Sequence, residues 1–142
     1  MTKNKLQFVG NRHFEDDIFS YISFLHAGKV VLVPNVYYHY MQSPYSVSHI
    51  LSKEYINEFT DAFQYIKNKL VEQDTLSENK HTYLSYFDKC LSSLFSIITS
   101  NEQDTLIQKE YVYYLFSSLQ KVITLREIID YIDLSRIKKL WI

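Results

Sequence analysis

Between Lys53 and Gln73 the apolar residues Ile56, Phe59, Phe63, Ile66 and Leu70 recur at spacings of 3, 4, 3 and 4. That rhythm puts one continuous apolar stripe on a helix of about five turns, and such a stripe must be buried against something. It returns twice. Tyr83, Phe87, Cys90, Leu94 and Ile97 carry it on a second helix, and Ile107, Tyr111, Leu115, Leu119 and Val122 on a third. Asp74, Thr75 and Ser77 mark one turn, and Ser100, Asn101 and Asp104 break and recap the chain at the next. Thr124 and Glu127 match a capping box that starts a shorter helix through Ile128, Ile129 and Ile132. Closely linked stripes of this kind predict an antiparallel helical bundle.

Composition points the same way. The chain has only 2 Gly and 2 Pro, whereas doubly wound and all-β folds need them at many turns. Its 142 residues suffice for a real core. A net charge of −1 provides no field to draw nucleic acid or an anionic membrane, so no nucleic-acid partner is expected. The lone Cys90 has no disulfide partner in the chain, which suits a reducing compartment. No signal-peptide core follows Met1 to Lys5, and no run approaches the ~20 apolar residues of a membrane span. The expectation is a cytoplasmic protein.

The first fifty residues read differently. Lys5 to Val9 is short and β-prone, and Gly10-Asn11 ends it. From Asp16 the pattern is helical through Ile18, Ile22 and Leu25, with Gly28 placed as a left-handed residue after the last turn. Val30 to Val33 predicts a buried strand, Pro34-Asn35 a break, and Val36 to Tyr40 a second extended run before the polar loop Gln42 to Ser48. The expected organisation is a small α/β segment over residues 1–50 and a helical bundle over 51–142.

Glu15, Asp16 and Asp17 stand between Phe14 and Phe19, directly after His13, and concentrate ionisable groups more tightly than any other stretch. One reading is electrostatic: carboxylates at a helix start meet unpaired amides and the positive dipole end, worth ~0.3–1 kcal/mol. A metal site of His13, Glu15, Asp16 and Asp17 has no second cluster to complete its ligand set, so no metal is expected on this chain.

A third reading comes from the order of the motifs along the chain. Phe14-Glu15-Asp16-x-x-Phe19, a helix, Gly28-Lys29, a Val-rich strand, Val36-Tyr37-Tyr38-His39-Tyr40 and then Ser46-Val47-Ser48 succeed one another. This resembles the C-terminal part of the catalytic domain of bacterial family 2 glycosyltransferases, which have the GT-A fold. The likeness covers Phe8 to His49 and rests on the order and spacing of short motifs. Met41 stands where the family usually has arginine.

The resemblance implies an inverting transferase that moves a sugar from a nucleotide diphosphate to an acceptor hydroxyl in cell-surface polysaccharide or glycan synthesis. It maps the general base to Asp16 and acceptor contacts to Glu15, Asp17, His13, Tyr40, Ser46 and Ser48. A base is needed because an alcohol attacks poorly until its proton is taken as the new bond forms. Glu15 beside it either raises the proton affinity of Asp16 or orients the acceptor. The family's Asp-x-Asp motif, which binds the metal (Mg or Mn) and diphosphate, is not in this sequence. The expected fold is therefore mainly α: a GT-A remnant of one helix and two or three short strands, then the bundle. Such a fragment is expected to be inactive alone and to bind no cofactor itself. Nucleotide-sugar donor and glycan acceptor are its implied partners in the full-length enzyme.

Two further expectations concern surfaces. Arg136, Lys138 and Lys139 beside Trp141 suggest peripheral contact with the inner face of the membrane, and the Tyr111 to Tyr114 run with Phe116 suggests a homo-oligomer contact. The competing class is a non-catalytic helical interaction module whose acidic cluster merely caps a helix.

Overall fold

A computed structural model describes residues 6–10, 13–35, 38, 51–101 and 104–127. Among the described residues are the helices α1 (Glu15–His26), α2 (Lys53–Glu72), α3 (Leu76–Asn101) and α4 (Thr105–Leu119). Helix α2 packs against each of the other three. Phe59 and Phe63 meet Phe87, and Phe63 meets Tyr83, so α3 runs antiparallel to α2. Helix α4 runs parallel to α2, because the Tyr114 hydroxyl reaches Asn57 and, further along, Lys67 reaches the Val122 carbonyl. Helix α1 is also parallel to α2: Phe14 packs on Tyr55 and Phe59 at its start, and His26 lies beside Gln73 at its end.

The α2 stripe is buried as its spacing requires: Ile56, Phe59, Phe63, Ile66 and Leu70 are inaccessible to solvent. Ser52 caps the helix by accepting the Tyr55 N–H at 3.0 Å. Its C-terminus closes with a Schellman arrangement: the Thr75 N–H donates to the Leu70 carbonyl at 2.9 Å and the Asp74 N–H to the Val71 carbonyl at 3.0 Å. The left-handed position usually given to glycine is held by Asp74 at φ 55, since a short polar side chain tolerates that region. A chain with two glycines ends its central helix in this way.

The capping box forms as expected. The Thr124 N–H donates to Glu127 Oε2 at 2.8 Å and the Glu127 N–H to Thr124 Oγ1 at 3.2 Å. Lys67 pins this turn to α2 through Glu127 at 2.8 Å. Burial opposes ionisation of Glu127, but the hydrogen bonds from Lys67 and Thr124 outweigh it and hold the carboxyl below its ordinary range. Ile128, Ile129, Ile132 and the Arg136 to Trp141 patch lie outside the described residues.

Several expectations are corrected. The strands of the α/β remnant are not seen among the described residues: residues 6–9 and 30–33 have no regular structure. Val30, Val31, Leu32 and Val33 are 57, 67, 93 and 62% exposed rather than buried. Strand propensity is realised only where a neighbouring strand takes up the backbone N–H and C=O groups, and none does so here. Of the second run, only Tyr38 is described. Gly28 is not left-handed; α1 ends at Ala27 in an extended conformation, with the Ala27 N–H on the Phe24 carbonyl at 3.2 Å. On α3 the buried residue is Ile98, not Ile97, and on α4 Ile107 is exposed.

Phe63 touches Phe59, Tyr83, Tyr86 and Phe87 with ring centroids 4.9 to 6.2 Å apart. Phe63→Ala should therefore destabilise the fold by about 3–5 kcal/mol. Urea unfolding followed by circular dichroism measures this; a loss under about 1 kcal/mol would show that the bundle does not hinge on this cluster.

Candidate functional site

The acidic cluster opens α1, and the chain enters it awkwardly. Phe14 occupies the N-cap with φ 66 and offers no side-chain cap. A left-handed non-glycine residue costs about 1–2 kcal/mol. Its ring packs 4.9 Å from Tyr55 and 5.5 Å from Phe59, which offsets that cost and fixes where α1 begins. His13 adds a second tether. Its backbone N–H donates to Glu58 Oε2 at 2.8 Å, and its ring Nδ1 meets the same carboxylate oxygen.

From this start the three carboxylates diverge. Asp16 is exposed, while Glu15 and Asp17 are partly covered. The Asp17 N–H donates to Asp16 Oδ1 at 3.0 Å, which steadies that carboxylate oxygen. Asp17 turns inward, where its Oδ1 accepts the hydroxyl of Tyr86 on α3. Burial pushes the Asp17 carboxyl above its usual value of 3.8; the Tyr86 hydrogen bond opposes this and repulsion from Asp16 adds to it.

Tyr86 extends this contact into a small polar seam. Its ring lies 5.3 Å from that of Tyr21, and burial raises the Tyr21 hydroxyl to about 12. Cys90 follows one turn later on α3, half-buried and pushed up to about 11 by burial, then by the Asp17 charge. At that value it is a protonated, unreactive thiol at neutral pH.

Two clefts flank α1. One, of about 430 Å³, runs between the 6–9 segment, α1 and α2, with Phe8 stacked on Phe19 at 4.3 Å and Lys69 at its edge. The other, of about 560 Å³, lies between α1 and α3 and is lined by Tyr21, Phe24 and Tyr86 among others. Asp16 lines neither.

The structure thus brings His13, Glu15, Asp16 and Asp17 together at one helix start. Tyr40, Ser46 and Ser48 lie outside the described residues. Glu58, Tyr86 and Tyr21, which hold or surround the cluster, were not among the expected site residues. Tyr86 stands 69 positions from Asp17, and Glu58 45 from His13, and no local spacing connects them. Among the described residues no three His, Cys, Asp or Glu side chains converge to hold a metal, and no helix is long and apolar enough to cross a membrane.

No family model, curated protein or solved structure matches this chain. The likeness to family 2 glycosyltransferases accordingly rests on the order and spacing of the chain's own residues.

Asp17 provides a direct test of the seam. Its raised folded-state value means that stability from its protonated form is complete below about 3.8 and is lost as pH rises through the raised value. Asp17→Asn keeps an acceptor for Tyr86 without the charge, so at pH 7 it should be at least as stable as the parent, with the advantage fading toward acid pH. Asp17→Ala strands the Tyr86 hydroxyl and should cost about 1–3 kcal/mol. Melting temperatures of the three proteins between pH 3 and 8 decide it.

Proposed function

We propose that this chain is the acceptor-side part of an inverting glycosyltransferase, with Asp16 as the general base. The observation that carries the reading is the contrast along one short segment. Asp16 presents a solvent-facing carboxylate at the start of a helix anchored by Phe14 and His13. The same segment then runs into Val30 to Val33, apolar, exposed and without regular structure. An apolar run of strand-forming residues is stable in water only when another surface covers it. A nucleotide-binding half with a parallel sheet would offer such a surface and put a donor opposite Asp16.

In this reading Asp16 takes the acceptor hydroxyl proton as oxygen attacks the anomeric carbon. The bond to the nucleotide diphosphate breaks on the opposite face, so configuration inverts in one displacement. A base must lie within about 2.6–3.2 Å of that hydroxyl, and the exposure of Asp16 supports this role by leaving its side chain open to an acceptor. Glu15 orients the acceptor from the first helical turn. Asp17 and His13, to which the resemblance assigns acceptor contacts, act here by fixing α1 through Tyr86 and Glu58. The Asp-x-Asp pair that would hold Mg or Mn and the diphosphate in the family is not in this sequence, so in this reading the nucleotide-binding half would supply it.

With nucleotide sugars and manganese the 142-residue chain alone should neither transfer nor hydrolyse the donor. In an enzyme reassembled with a nucleotide-binding half, Asp16→Asn should lower kcat by about 10²–10⁴ with donor affinity unchanged. Retention of activity within a few-fold would remove Asp16 as the base.

A second reading, the helical interaction module, is favoured by one observation. Leu106, Tyr113 and Phe116 on α4 are 76, 78 and 58% exposed, although its opposite face is already buried in the bundle. An apolar exterior on a packed helix suits a second copy of the chain. Sedimentation velocity should then show a dimer that Tyr113→Ser with Phe116→Ser converts to monomer; a monomeric parent excludes this contact.

A further inference from the structure

We draw no further inference here: the strongest candidate, the apolar groove between α3 and α4 lined by Leu91, Phe95, Leu115, Phe116 and Leu119, shares its exposed Phe116 edge with the second-copy contact already described, and nothing among the described residues shows what covers the rest.

Discussion

The structure depends on the burial of one face of α2. Phe59 and Phe63 lie fully inside, meeting α1 through Phe14 and α3 through Tyr83, Tyr86 and Phe87. Each large aromatic withdraws on the order of 150–250 Å² from water, and with the aliphatic residues Ile56, Ile66 and Leu70 on the same face the cluster supplies a large part of the buried apolar surface. The polar contacts around it are placed by that packing. Tyr83 donates to the Phe63 carbonyl at 3.2 Å, and Tyr86 reaches Asp17, because their rings are already held in the cluster. These bonds fix register rather than supply stability, as expected where each contributes about 1 kcal/mol net.

The same packing decides what the acidic cluster can do. Three neighbouring carboxylates on a free helix would share one environment. Here α3 takes up Asp17 through Tyr86 and leaves Asp16 outside. A base needs an accessible oxygen and an unmoving backbone beneath it. Asp17 and His13 tie α1 to α3 and α2, so the backbone beneath the proposed base Asp16 is held in place.

Much of the bundle was legible in the chain. Every α2 position read from the 3-4 rhythm is buried, and the Thr124 capping box forms as read. The misses have physical causes. A strict 3-4 alternation has a period of 3.5 and slips against the 3.6 of a straight helix, so by the end of α3 Ile98 has replaced Ile97 on the inner face. Ile107 stands in the first turn of α4, where Asp104 caps the amides and the bundle has not yet closed over the side chains. Val30 to Val33 has strand chemistry, but propensity carries no information about whether a pairing edge is present. The seam of Asp17, Tyr86 and Tyr21 was invisible because it joins residues distant in sequence, and a tyrosine next to a core stripe reads as core.

Large apolar exposures occur at both ends of the described chain: Phe8, Phe24, Val30 to Val33 and Tyr38 in the first part, and Val71, Phe95, Leu106, Ile107, Tyr113, Phe116 and Leu125 from α2 onward. Scattered singly, such residues need no explanation; the unbroken run from Val30 to Val33 is the exception. The inner face of α1 is complete, with Ile18 and Tyr21 in the core and Asp17 hydrogen-bonded. Its outer side carries the exposed Asp16, which accepts the Asp17 N–H, and the exposed Phe24. Asp16 therefore stands at the seam between a finished bundle and an uncovered surface.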